Sequence, residues 1–181
     1  DPIPCALAIG QALLSVPARN LDPLKSLVVS LTTVQGGSAT NVIPETVYMA
    51  GTVRSFDADV REMAERRMRE IVAGQAAAYG LTADLDYQRN YPPTVNHADQ
   101  TRFAAEVARG VVTTVDEDIA PSMGAEDFSY MLEARPGAFV YLGQGVGASV
   151  HHPKFDFNDE AAPLGASYFV KLIETRQPLR G

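Results

Sequence analysis

The chain is poor in several of the groups that announce a function. It has one cysteine, Cys5, among 181 residues. A disulfide within the chain is therefore excluded, and a cytoplasmic location is the default expectation. No Cys-His spacing supports a reactive thiol, so Cys5 reads as a small apolar residue of a first helix. No apolar run reaches the ~18 residues that a membrane span needs. The first residues, "DPIPCALAIG", lack the basic start and long apolar stretch of a signal peptide. Basic residues are in deficit, with 15 Lys and Arg against 22 Asp and Glu, for a net charge of −7. That balance argues against a nucleic-acid partner. There is no G-x-S-x-G elbow, P-loop or G-x-G-x-x-G. "GQGVG" at 143–147 has no following helix, so it is no dinucleotide fingerprint.

Hydrophobic residues make up 46% and charged residues 20%, a globular profile with length for one ordinary domain or two small ones. Residues 3–19 have helical apolar spacing, and Pro4 suits a first turn. "LKSLVVSLTTVQGG", 24–37, is β-branched and ends in a glycine pair, which predicts a strand and turn. Residues 41–56 predict a second strand, with Pro44 keeping its start at an edge or outside the ladder. Residues 57–80 predict a helix that starts at Asp57, carries an apolar stripe, and ends at Gly80. "LTADLDYQ", 81–88, alternates like a half-buried strand. The order α-β-β-α-β becomes the ferredoxin-like βαββαβ if one strand precedes it.

"NYPPTVNHADQ", 90–100, reads as a linker. Beyond it we expect a helix over 98–109, a short tail or strand at 111–115 and a short helix within 121–145. A buried strand "AFVYLG", 138–143, a long loop and a closing helix over 159–177 should follow.

The chain's histidines are His97 and the adjacent pair His151 and His152, followed by Pro153. Neutral imidazole is the commonest ligand for zinc and its neighbours. Adjacent loop residues usually point different ways, so at most one of the pair is expected to bind. A solvated loop histidine is the competing reading. "GAEDF", 124–128, places Glu126 and Asp127 near a helix start, where they could bind a substrate amine, orient ligands or cap the helix. Asn41 follows the Gly36-Gly37 turn and could be turn chemistry or donate to an oxyanion. Arg54 at a strand end could be a solvated charge or clamp a carboxylate with two parallel hydrogen bonds.

Taken in order, "DPI", "GGSATNVIPE", "GTVRSF", "YPPTVN", "MGAEDFSYML", "PGAFVYLGQG" and "VHHPKFDFND" resemble the metal-dependent amidohydrolases. That family includes hippurate hydrolase, N-acyl-amino-acid amidohydrolases and auxin-conjugate hydrolases, and is related to aminoacylase and zinc carboxypeptidases. The resemblance runs along essentially the whole chain. It implies an α/β fold with an α+β lid: residues 1–92 as a ferredoxin-like lid or dimerisation domain lacking its first strand, and 93–181 as the C-terminal segment of the catalytic domain. It implies that His151 is a metal ligand and His152 is not. Asn41 would reach an active site across a homodimer formed through the lid. Arg54 would hold the substrate's carboxylate, and Glu126 and Asp127 would lie at the site's rim, with Glu126 binding substrate. The cofactors implied are two divalent metal ions, Zn, Mn, Co or Ni, in a full-length enzyme. The substrate implied is a small N-acyl amino acid.

The family's other ligands and its general-base glutamate precede the stretch matched here. The expectation is that an N-terminal half is missing and that this chain alone is inactive. The rival expectations are a non-catalytic dimerisation or binding module, or a dipeptidase or deacetylase of the same fold.

Overall fold

The computed structural model of the chain describes residues 1–178. It divides into two compact units, Asp1–Pro93 and Thr94–Gly181.

The first unit begins with helix α1, Pro2–Asn20. The Asp1 carboxylate accepts a hydrogen bond from the Ile3 amide at 3.0 Å, and Pro2 occupies the first turn, where no amide partner is needed. Strands β1, Leu27–Gln35, and β2, Tyr48–Ser55, pair antiparallel from Leu27↔Ser55 to Gln35↔Tyr48. Helix α2, Ala58–Ala78, follows. Asp57 stands at its N-cap, but its side chain makes no cap hydrogen bond. The other end closes as expected at Gly80, which has φ +66°. The Gly80 amide donates to Ala77 O at 3.0 Å and the Leu81 amide to Ala76 O at 2.9 Å. This paired closure satisfies carbonyls the helix would otherwise leave open.

The core lies between the two helices and one face of the sheet. Cys5, Ile9, Leu13 and Val16 recur along α1 at helical spacing, as do Val60, Ala64, Met68 and Val72 along α2. Met49 and Val53 of β2 and Val29 of β1 pack against them. Each large apolar side chain fully buried contributes about 1.5–3 kcal/mol, so this seam holds most of the unit's hydrophobic stabilisation. Cys5 is buried here, a packing residue as expected.

The predicted strand at 81–88 does not form. Leu81, Leu85 and Tyr87 do pack on the cluster made by Cys5, Ile9, Leu13, Met68 and Val72. The alternation correctly marks a half-buried segment, but the sheet contains β1 and β2 alone among the described residues. Arg69 instead ties the segment to α2, donating to Leu85 O at 3.2 Å. Glu65 accepts from Arg69 at 2.8 Å and from Arg89 at 2.7 Å.

The second unit contains α3, Ala98–Arg109; α4, Phe128–Ala134; a 3-10 turn, Asp159–Ala161; and α5, Ala162–Arg176. Tyr168 Oη donates to Ala104 O at 3.5 Å, and the Arg176 guanidinium lies 5.6 Å from the Phe103 ring centroid, so α5 is held to α3. The expected buried strand at 138–143 is absent. Val140, Tyr141 and Leu142 are 46%, 62% and 45% exposed. Strand-like composition reports what a segment tolerates, and a ladder needs a neighbouring strand that the described residues of this unit do not contain. No strand forms at 111–115 either. Among the described residues no helix is long and apolar enough to cross a membrane.

The β1–β2 ladder contains a bulge at Thr32, so Leu31 pairs with Gly51 and Thr33 with Ala50. A Cβ on Gly51 would stand 2.2 Å from the Ser30 carbonyl oxygen. The backbone cannot yield to it without breaking the register. Gly51→Ala is therefore expected to destabilise the protein by about 2 kcal/mol. Urea denaturation would measure this, and an unchanged midpoint would contradict it.

Candidate functional site

Asn41 lies in the loop that joins β1 to β2. Gly37 turns the chain with φ +78°. The Val42 amide then donates to Ala39 O at 3.3 Å, closing a turn around Asn41. Gly36–Pro44 wall an open hollow of about 710 Å³ together with Asp1 and Ile3. Asn41 is exposed on that wall.

Arg54 is placed elsewhere. Val53 packs into the helix-covered core, so Arg54, its neighbour on the strand, projects to the opposite face. It is six residues beyond Tyr48, about 20 Å along β2 from the loop end of the strand. Asn41 and Arg54 of one chain are thus not brought together.

In the second unit, Glu126 and Asp127 precede α4. The Glu126 carbonyl accepts from the Ser129 amide at 3.2 Å and from Ser129 Oγ at 2.6 Å. Asp127 stands at the N-cap position without a side-chain cap hydrogen bond. Its role as a side-chain helix cap is therefore not realised. Glu126 is half-buried and Asp127 exposed.

The histidine pair sits on two successive turns that share His152. The His152 amide donates to Ser149 O at 3.0 Å, and the Phe155 amide donates to His152 O at 2.9 Å. His151 is the third residue of the first turn, with φ +73°. A side chain in this left-handed region costs about 1–2 kcal/mol that glycine would not. Such an outlier is a pointer to function. His152 is engaged locally, because its Nδ1 accepts the Lys154 amide at 3.1 Å. Both rings are exposed, and the His151 ring makes no hydrogen bond among the described residues. The third histidine, His97, is structural: its Nδ1 accepts the Gly137 amide at 3.2 Å, and its own amide donates to Gly137 O at 3.0 Å.

Two features that frame the loop were not found from sequence. Gln144 and Asn158 clamp its base. The Asn158 amide donates to Gln144 Oε1 at 3.2 Å, and Asn158 Nδ2 donates to Gln144 O at 3.0 Å. Asn158 Oδ1 also caps the 3-10 turn, accepting from Glu160 at 3.1 Å. Asn before an acidic first turn is a legible helix-start signal. A partner fourteen residues away is not. Similarly, Asn96 bonds both the amide and the carbonyl of Phe139, at 2.7 and 2.8 Å, standing in for a strand partner.

Among the described residues no group of three or more His, Cys, Asp and Glu side chains could hold a metal ion. A single open imidazole at His151 can supply one coordination position, not a complete site.

Residues 8–175 match Peptidase family M20/M25/M40. The chain belongs to this family. It is similar to thermostable carboxypeptidase 1 of Saccharolobus solfataricus, 35% identical over 172 residues, covering 92% of this chain and 43% of that protein. It is also similar to the N-acetyl-L-cysteine deacetylase of Bacillus subtilis, 38% identical over 170 residues, covering 94% and 40% respectively. Among solved structures, a dinuclear metal-binding peptidase of the M20 family from Bacillus subtilis superposes with a TM-score of 0.72 at 33% identity, covering 99% of this chain and 47% of that one. The M20 chain described here thus spans less than half the length of these relatives.

The clamp generates a direct expectation. Asn158→Ala removes the side-chain bond to Gln144 O and the cap on the 3-10 turn, leaving only the backbone amide bonded to Gln144 Oε1. Amides within 145–157 should then exchange with deuterium roughly tenfold faster, while those of α2 are unchanged. Equal exchange in the two proteins would mean that the loop is held by something else.

Proposed function

We propose that this chain is the lid and the C-terminal part of the catalytic domain of a two-metal amidohydrolase. The enzyme hydrolyses the amide bond of a small N-acyl amino acid. The observation that carries the reading is the strained and exposed imidazole of His151, in a chain that belongs to the M20/M25/M40 family. In this reading His151 is one metal ligand, and the remaining ligands and the general base come from an N-terminal half. Two bound divalent ions, of zinc, manganese, cobalt or nickel type, would polarise the scissile carbonyl and lower the pKa of the attacking water.

The chain's own groups have defined tasks. Asn41 donates its side-chain amide to the carbonyl oxygen as negative charge develops there. Arg54 binds the free carboxylate of the amino-acid part with two parallel hydrogen bonds. Glu126 contacts the substrate at the rim. Because one chain holds Asn41 and Arg54 at opposite ends of β2, the reading has Asn41 serve the active site of a second copy in a homodimer built through the lid. The relatives favour this carboxylate logic. Carboxypeptidases and N-acetyl-amino-acid deacetylases both cleave an amide whose amine side is an amino acid with a free carboxylate. They also keep peptide cleavage or deacetylation as the second reading of the same site.

The half-buried state of Met49, Val53, Leu81 and Leu85 supports the ferredoxin-like lid. A further strand laid on the free edge of β2 would cover them and offer 81–88 a ladder partner. The exposed Val140, Tyr141 and Leu142 fit a strand whose neighbours belong to the N-terminal half.

The 181-residue chain alone is expected to release no amino acid from N-acetyl amino acids or dipeptides. A polypeptide that also carries the N-terminal half should do so and should lose activity to a chelator. There, Arg54→Ala should raise KM about tenfold to a hundredfold with a smaller change in kcat, as expected for a lost charge-assisted contact made before the chemical step. Activity in the short chain, or indifference of KM to Arg54→Ala, would count against the assignment.

A further inference from the structure

We infer that His152 is a positioning residue: its side chain locks the double turn that presents His151, and it does so in a tautomer that bars His152 itself from ligation. The inference rests on the reading of His151 as a metal ligand and adds to it a reason why one histidine of the pair binds and the other does not.

Every hydrogen-bonding group of His152 that faces its own turn is used. Its amide closes the first turn on Ser149 O, and its carbonyl starts the second turn by accepting the Phe155 amide. Its Nδ1 accepts the Lys154 amide at 3.1 Å. An accepting Nδ1 carries no proton, so in the neutral ring the proton resides on Nε2. A protonated nitrogen has no lone pair to give a metal. His152 therefore has one nitrogen committed to the backbone and the other capped by hydrogen. His151 occupies the third position of the turn at φ +73°, where glycine is the economical residue. The turn needs no ring at this position, whereas a ligand needs a fixed direction. The His152 amide closes the turn that holds His151 in the left-handed conformation, and the His152 carbonyl and Nδ1 brace the turn that follows, on which the first one rests. Pro153, at the second position of the following turn, adds a fixed φ to the same corner.

The test uses the full 181-residue chain with nitrogen-15-labelled histidine, above the pH range in which histidine ordinarily titrates. His97, whose Nδ1 also accepts a backbone amide, is the internal reference. Without metal, His152 should show an unprotonated Nδ1 and a protonated Nε2. In a titration with zinc ion carried to millimolar concentration, the His151 ring resonances should shift and those of His152 should not. His152→Asn, which keeps a side-chain acceptor at this place, should retain the His151 response. His152→Ala should weaken it about tenfold, the usual cost of losing a residue that orients a ligand.

A His152 ring protonated on Nδ1, a zinc-dependent shift of His152 Nε2, or a His151 response equal in His152→Ala and in the parent would each overturn the positioning role. These leave His151 free to be a ligand. The expected His152 tautomer with no zinc response at His151 would instead overturn the ligand assignment, and the positioning role with it. The two failures are read from different spectra.

Discussion

The first unit depends on one apolar seam. Cys5, Ile9, Leu13 and Val16 of α1 meet Val60, Ala64, Met68 and Val72 of α2 over one face of a two-stranded sheet. A lone hairpin is marginal in water, so β1 and β2 rely on the helices for their persistence. Everything placed by the hairpin inherits that reliance. The loop with Asn41 and the strand end with Arg54 are fixed because Met49, Val53 and Val29 are gripped from below. Gly51 and the Thr32 bulge then set the register on which both positions depend.

The second unit is organised differently. None of the residues of α5 is buried. Its order comes from side chains that bond to backbone: Asn96 to Phe139, His97 to Gly137, and Asn158 to Gln144. The aromatic rings of Phe128, Phe139 and Tyr141 pack in sequence, the first pair tilted and the second edge-to-face, with centroids 5.7 and 5.1 Å apart. Such bonds fix local geometry at a modest gain each, because water competes for them in the unfolded chain. They shape the loop around the histidines without supplying a large core.

Helices were legible wherever periodicity and end signals agreed. Asp1, Pro2 and the Ile9-Leu13-Val16 row announce α1, and Gly80 announces the end of α2. The two missing strands, 81–88 and 138–143, show the limit of the same reasoning. Alternation and β-branched residues describe a side-chain environment, whereas a strand is a relation between two backbones. At the site, the His-His-Pro run was visible at once, and so was the doubt about using both rings. The resemblance favoured His151, but the local geometry of the two rings was invisible in sequence: a φ of +73° at His151 and one bond from Lys154 to His152. The distance between Asn41 and Arg54 was hidden too, because thirteen residues of separation say nothing about which end of a strand each occupies.

The clamp between Gln144 and Asn158 converts the histidine segment from an arm into a ring. An arm of that length samples a volume that widens with each added residue. A ring closed at its base does not, since the entropy of bringing its ends together has been spent during folding. An imidazole carried on such a ring has a high effective concentration near its point of use. In the proposed reading, capture of an ion by that imidazole costs the loop little further chain entropy, so the strength of the contact would be decided by ligand chemistry rather than by the search for it.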